Sequence, residues 1–360
     1  MANIYQIGAG LVGRTMALDL SKDHTVFLAD NNLELLESIK SEDPTIHIKK
    51  LDVKESNDLI KFIKNADVVL LAVPGFLGFE CLKKIIISKK NVVDISFSPE
   101  DSMQLDSLAK DNNVTAIIDA GVAPGIPNYI LGYHNRSMKI ESFEYFVGGL
   151  PKYPKEPFNY KAPFSPIDVI EEYTRPARMM INKKLITKPA LTDIESIRFK
   201  DAGLLEMFNT DGLRSILSTM SHIPNMREKT VRYPGHAKVI KSYIENGKFS
   251  PTNIDETANQ LLKEWKLEPQ EEEFTVMDII LKSSTKKIHY HLFDSYDKAS
   301  NTSSMSRTTG YTATASINLL LNKKITKTGV LPPELVGSID SCWDYVFSYL
   351  DNRKVQIKLL

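Results

Sequence analysis

The sequence predicts an α/β protein: a doubly wound parallel sheet at the N-terminus, then a second α+β domain with a mixed or antiparallel sheet. Three observations carry this expectation. Short apolar runs recur at nearly even intervals from residue 4 to residue 118, with helical patterns between most of them. Strands alternating with helices build parallel sheets. The first run ends in Gly8-Ala9-Gly10-Leu11-Val12-Gly13, a glycine turn that opens an apolar helix. After Asp119 the rhythm breaks, and strand-like pieces bounded by turns take over.

Taken in order, Ile4–Ile7 reads as the first strand and Leu11–Leu20 as the first helix. Thr25–Ala29 is the second strand, closed by Asp30, and Leu33–Ile39 is helical. Ile46–Leu51, Val68–Val73, Val92–Ile95 and Thr115–Ile118 continue the strands, with a helix over Leu77–Ile87. Gly121–Gly125 leads into a helix that begins near Pro127. The stretch from Pro151 to Pro166 holds five prolines, so it is a loop or an irregular strand. Phe143–Val147, Ile194–Arg198, Leu204–Phe208, Phe274–Leu281 and Lys287–Asp294 read as strands, the last two joined as a hairpin. Helices are expected at Gly212–Met220 and His236–Asn246. The apolar helix Thr309–Leu321 is expected to return to the first domain. This places the first domain at 1–124, completed by about 305–360, and the second at 125–304.

Composition narrows the function classes. The chain has 360 residues, room for two domains. It has 45 basic and 45 acidic residues, so nothing marks it for nucleic acid or an anionic membrane. Its apolar runs are too short to span a bilayer. The start, Met1-Ala2-Asn3, runs straight into a strand, so no signal peptide is expected and the location expected is cytoplasmic. Two cysteines, Cys81 and Cys342, are too few for a disulfide framework.

The glycine turn names a cofactor. Gly8 permits a tight turn, Gly10 lets a pyrophosphate approach the backbone, and Gly13 lets helix and strand pack closely. Ala9, Leu11 and Val12 complete the loop. The helix N-terminus offers N–H groups to a phosphate. Asp30 suits a ribose diol and repels a 2′-phosphate, and Asn31 follows it rather than an arginine. The expectation is a Rossmann domain that holds NAD, with NADP less favoured. Ligands sit at the carboxyl ends of such strands. Those ends add Asp52 and Val53 near the adenine, and Val73, Pro74 and Gly75 beside the ribose and nicotinamide. Ser96, Phe97 and Asp119 would border the reacting end.

Other chemistries lack support. No Tyr-x-x-x-Lys pair is present. His289 and His291 share a strand face but have no third ligand at metal spacing, so no metal is expected. The second domain has a denser polar cluster. It comprises Tyr160-Lys161, the segment from Glu171 to Arg178, Asn209–Gly212, Arg232–His236 and Ser304–Gly310. Turns feeding helices suit anions, and arginines there can fork onto a carboxylate. Each group reads equally as a cap or a surface ion pair.

At these residues the chain resembles the saccharopine dehydrogenase-like family, on its lysine 6-dehydrogenase branch. The resemblance spans the chain. It rests on Leu71–Gly78, Asp94–Phe97, Asp119–Gly125, Gly148–Pro151, Asn159–Lys161, Ser165-Pro166, Tyr173–Arg178, Thr210–Leu213, Arg232–His236 and Met305–Arg307. It implies NAD-dependent oxidation of a carbon bearing an amine, on a small amino-acid substrate, by a homodimer. Saccharopine reductases of the family carry an acid where Ala123 stands and a tryptophan where Phe164 stands. They also differ around Asn209–Arg214. Those departures favour lysine itself, whose ε-amine would be oxidised to a semialdehyde that cyclises to piperideine-6-carboxylate. In that scheme Asp119 or Tyr160 takes the proton. Arg175, Arg232 or Arg307 holds the α-carboxylate, Asp211 or a glutamate the α-ammonium, and Ser96, Phe97 and His236 line the substrate. The alternatives are a saccharopine or carboxynorspermidine dehydrogenase or reductase and, in another class, a non-catalytic NAD sensor.

Overall fold

The computed structural model describes residues 1–268 and 270–360. The chain divides into two compact units. The first comprises Met1–Arg136 with Ser306–Lys354, and the second Ser137–Met305 with Val355–Leu360.

The first unit is a parallel sheet. Its strands are β1 (Asn3–Ile7), β2 (Thr25–Asp30), β3 (His47–Lys50), β4 (Val68–Leu71), β5 (Val92–Asp94) and β6 (Thr115–Ile117). A strand from far along the chain, Gly329–Leu331, pairs with β6 and completes seven among the described residues. Reading from that strand, the order continues β6, β5, β4, β1, β2, β3, so the strand order, not the strand direction, reverses between β4 and β1. The crossovers include α1 (Leu11–Leu20), α2 (Leu33–Glu42), α3 (Ser56–Ile63), α4 (Gly75–Ile87) and α5 (Asp106–Asp111). Strands covered on both faces need apolar residues at every position rather than alternation. The fully buried Val68–Leu71 shows this.

The helix after the Gly121–Gly125 turn, α6 (Ile126–Asn135), belongs to the first unit, not the second as the sequence suggested. It lies backbone to backbone against Pro333–Gly337. A Cβ on Gly132 would sit 2.0 Å from the Glu334 carbonyl oxygen, and one on Gly337 2.4 Å from that of Tyr129. Such an approach is open only to glycine. The buried Asn128 amide donates to Glu334 Oε2 at 2.8 Å and closes the contact. The last helix, Asp340–Asn352, is tied to α1 through the buried Asp19, which accepts from Arg353 Nε, Tyr349 Oη and Thr314 Oγ1.

The second unit is a mixed sheet with helices. Its strands are β7 (Ser142–Pro151), β8 (Ala177–Ile181), β9 (Lys184–Lys188), β10 (Glu195–Phe199), β11 (Gly203–Asn209), β12 (Asn225–Arg232), β13 (Glu273–Lys282) and β14 (Lys287–Ser295). The main path runs β10-β11-β12-β7-β13-β14 and ends on Ile357–Leu359. The β7–β12 pair is parallel, and its other neighbours pair antiparallel. The hairpin expected between residues 282 and 286 is present. Four of its described strands were not read from the sequence: β8, β9, the central β12 and the edge strand Ile357–Leu359. The helices are α7 (Pro166–Thr174), α8 (Ile216–Thr219), α9 (His236–Glu245) and α10 (Ile254–Glu264). The helix expected over Gly212–Met220 shrinks to the single turn of α8. One core gathers Phe158, Tyr160, Tyr173, Phe208 and Trp265, and another gathers Phe146, Leu150, Met207, Val231 and Val276. Among the described residues no helix is long and apolar enough to cross a membrane.

Candidate functional site

In the first unit the glycine turn has the geometry its spacing demands. Gly8 has φ +107°, and a Cβ there would meet the Ala72 carbonyl oxygen at 2.2 Å. A Cβ on Gly13 would lie 2.3 Å from the Gly8 carbonyl oxygen. The buried Gln6 stiffens the turn from below, its amide donating to Gly8 O at 2.9 Å and Gly13 O at 2.7 Å. Gly10 is different: a Cβ there would meet nothing within 4 Å. No protein contact requires that glycine, so its missing side chain leaves open space at the head of α1. That helix has no side-chain cap and no acid in its first turn. Ala9, Leu11 and Val12 therefore frame an uncapped helix N-terminus, which suits a pyrophosphate.

Asp30 ends β2 and is only half buried. Its Oδ2 accepts from Ala9 N and its Oδ1 from Asn32 N, both at 2.8 Å. The carboxylate is thus fixed beside the turn. Asn31 is exposed, and Asn32 caps α2. Asp52 is exposed and accepts from Lys54 N, and Val53 is buried. Val73 is buried, Pro74 caps α4 and Gly75 begins it. A Cβ on Gly78 of α4 would lie 2.2 Å from Ser98 Oγ and 2.6 Å from Ser96 Cβ, so the helix clasps the loop after β5. There Ser96 donates through N and Oγ to the buried Asp94, and Phe97 is half buried. Asp119 follows β6, buried, in a left-handed conformation at φ +52°. For a non-glycine residue that conformation is uncommon and often functional. The residues present fit a dinucleotide.

In the second unit the polar residues converge on β12. Side chains alternate along a strand, so Glu228, Thr230 and Arg232 share one face. Arg232 is buried. Its Nε donates to Tyr173 Oη at 2.9 Å, its Nη1 to Val231 O, and its Nη2 lies 3.5 Å from Glu172 Oε1. Its guanidinium lies 4.5 Å above the Tyr160 ring. His236 is fully buried, with Nε2 on Tyr173 Oη and Nδ1 on the Phe158 carbonyl. Burial, aided by Arg232, pushes its pKa down to about 3, so it stays neutral. Thr230 Oγ1 donates to Glu172 Oε1 and sits 2.8 Å from Thr210 Oγ1. Thr210 in turn bonds both oxygens of Glu228. Glu228 is enclosed, and burial outweighs its hydrogen bonds to push its pKa up to about 8.

The structure brings together some expected residues and separates others. Tyr160, Arg232 and His236 form one cluster, but its tyrosine is no base. Burial pushes the Tyr160 phenol well above its usual range, against the pull of Arg232. Arg232 and His236 are engaged internally rather than held open to a ligand. Asp211 is buried and clamped bidentately by Arg178, at 2.9 and 2.8 Å, so an α-ammonium would have to displace an arginine. Arg175 pairs with Glu171 one turn back on α7. Arg307 lies in the first unit, where it donates to the Arg353 carbonyl. The part-exposed member of the network is Glu172, its side chain 15% accessible. Sequence reading gave no role to Glu172, Tyr173, Thr210, Glu228 or Thr230. The signal available was the run of charges in β12, which reads as solvated surface. His289 and His291 both meet Asp278. Among the described residues no His, Cys, Asp or Glu group is arranged to hold a metal ion.

Comparison with known proteins follows the same division. The saccharopine dehydrogenase NADP binding domain matches residues 4–117, and the saccharopine dehydrogenase C-terminal domain matches residues 121–351. The chain is 28% identical over 228 residues to the alpha-aminoadipic semialdehyde synthase of Arabidopsis thaliana, covering 59% of this chain and 21% of that one. It is 26% identical over 262 residues to the NADP+-dependent, L-glutamate-forming saccharopine dehydrogenase of Pyricularia oryzae, covering 69% and 58%. The chain thus spans less than two thirds of these relatives. The apo L-Glu-forming saccharopine dehydrogenase of Saccharomyces cerevisiae shares the fold, with a TM-score of 0.78 at 17% identity over 100% of both chains. With a pyridine-nucleotide-binding domain and a C-terminal domain both of this type, the chain belongs to the saccharopine dehydrogenase family.

Proposed function

We propose that the protein is an NAD-dependent oxidoreductase that oxidises the carbon bearing an amine, with the ε-amine of lysine as substrate. The observation that carries this reading is Glu172. One oxygen is fixed by Thr230 and Arg232, while Oε2 accepts no hydrogen bond from any described residue. A part-exposed carboxylate held this way suits an ammonium group, and a sensor of NAD alone has no need of it.

Gly10, the α1 N-terminus and Asp30 would hold the dinucleotide, which supplies a hydride acceptor when bound. Asp30 supports NAD over NADP, although the matching family domain is described as NADP-binding. The amine must first lose a proton, because only a neutral nitrogen has the electron pair to expel a hydride from its carbon. Asp119 would then activate the water that converts the iminium to the semialdehyde. Arg175, which ends the same helix as Glu172, would anchor the α-carboxylate. The test is NADH formation across lysine, ornithine, saccharopine and diaminopimelate. Lysine should be oxidised; activity on saccharopine without lysine would overturn the reading in favour of a saccharopine dehydrogenase.

A further inference from the structure

One face of β12 carries a continuous path between two carboxylates. It runs from Glu172 through Thr230 Oγ1 and Thr210 Oγ1 to Glu228. Each hydroxyl has one proton to give and lone pairs to receive. When the proton is on Glu172 the carboxyl donates to Thr230, Thr230 to Thr210 and Thr210 to Glu228; each proton then shifts one place, leaving Glu228 protonated and Thr230 donating back to Glu172. Glu172 has the free, part-exposed oxygen. Glu228 is sealed, with Gly212 N on its Oε2 at 3.0 Å.

We propose that Glu172 takes the proton of the substrate ammonium and passes it through Thr230 and Thr210 to Glu228, which stores it. This rests on the amine-oxidising reading above. The N–H bond of the ammonium breaks and an O–H bond forms on the relay. The freed nitrogen pair then drives hydride from the adjacent carbon to NAD. The stored proton returns through Glu172 to solvent or to departing ammonia.

The magnitudes favour a relay over a lone carboxylate. An ordinary glutamate and an alkyl ammonium differ by about six powers of ten in proton affinity. Burial beside Glu172 and Asp211 brings Glu228 up to about 8, against the hydrogen bonds from Thr210 and Gly212. The mismatch falls to roughly two powers of ten, near the range where acid–base catalysis works best. The surrounding charges leave the path clear. Asp211 is tied to Arg178. Lys229 points to the opposite face of β12, onto Glu195 at 2.5 Å. Arg232 holds Glu172 in place, and Tyr160, Tyr173 and His236 do not ionise at neutral pH.

The test uses the full chain with lysine and NAD across pH, in wild type, Thr230→Val, Thr230→Ser and Glu228→Gln. The wild-type kcat/KM should rise through pH of about 8, where Glu228 becomes able to accept. Thr230→Val should lower kcat by roughly 10- to 100-fold with KM little changed, and Thr230→Ser should restore it. Glu228→Gln should move the limb down toward the ordinary carboxylate range. A Thr230→Val enzyme with wild-type kcat and pH profile would overturn the relay, as would a serine variant no better than valine. If the wild type oxidises no amine, the functional reading fails, and infrared spectroscopy still judges the relay. A protonated-carboxyl band should be present at neutral pH, titrate near 8 and vanish in Glu228→Gln. Its absence from the wild type would overturn the relay on its own.

Discussion

Asp30 makes a quantitative prediction about nucleotide choice. Its carboxylate cannot swing aside, because Ala9 N and Asn32 N hold one oxygen each at 2.8 Å. Lys50 stands in register with it on β3, a cation that tempers its repulsion. A 2′-phosphate carries about −1.5 charge or more at neutral pH. At about 5 Å from the carboxylate its repulsion is roughly 1 kcal/mol in bulk-water dielectric and about 5 kcal/mol at an effective dielectric of 20. Each 1.4 kcal/mol or so is tenfold in affinity, so NADH should bind about ten to several thousand times more tightly than NADPH. The assay is fluorescence titration of both reduced nucleotides, which needs no substrate. Asp30→Ser should weaken NADH and bring the two affinities within about tenfold of each other. Wild-type protein that binds NADPH as tightly as NADH would refute the electrostatic argument, and so would an unchanged ratio in the serine variant.

Three further outcomes follow from features of each unit. Gly10→Ala should leave the melting temperature nearly unchanged, since its Cβ meets no protein atom within 4 Å; NADH affinity should nonetheless fall at least about tenfold if a pyrophosphate occupies that space. Normal NADH affinity would show that the phosphate lies elsewhere. Asp19→Ala should strip the partners of Arg353, Tyr349 and Thr314 and cost on the order of 3 kcal/mol, tempered by the part-exposed Arg353. Calorimetry should then show a loss of about 6–12 °C in Tm, and a shift of a degree or less would contradict the staple. His291 has its pKa raised by its hydrogen bond to Asp278, and also by Asp201, against burial. The stability this pair gives is full below the free-histidine value of about 6.5 and fades as pH rises through the raised folded value. His291→Gln should flatten that part of the stability–pH curve, and a curve of unchanged shape would remove the pair from the account.

Legibility differed between the units for a physical reason. Strands buried on both faces must be apolar throughout, so β1, β2, β4 and β5 announce themselves as runs. The glycines at 8 and 13 are demanded by backbone contacts under 3 Å, so their spacing carried real geometric content. The seventh strand, Gly329–Leu331, is three residues long and offered too little pattern. In the second unit β12 reads Asn-Met-Arg-Glu-Lys-Thr-Val-Arg. Its charges look like solvent-facing residues, yet Glu228, Lys229 and Arg232 are buried because each finds a partner on another element. Periodicity scores apolarity, not satisfied polarity, so it missed the strand that organises the cluster. The same blindness drew attention to Asp211 and His236, whose internal partners cannot be seen in a sequence.

The first unit is also assembled out of order in time. Residues 1–136 emerge from the ribosome first, but β6 lacks its outer neighbour until Gly329–Leu331 has been made. Until then the sheet presents an unpaired edge, which invites wrong partners. The main path of the second unit, by contrast, waits only for its edge strand Ile357–Leu359 once residue 305 is reached. Synthesis therefore favours a mature middle before a finished beginning. A stalled chain with residues 1–305 clear of the ribosomal exit tunnel should resist protease over residues 137–305 while residues 1–136 are still readily cut.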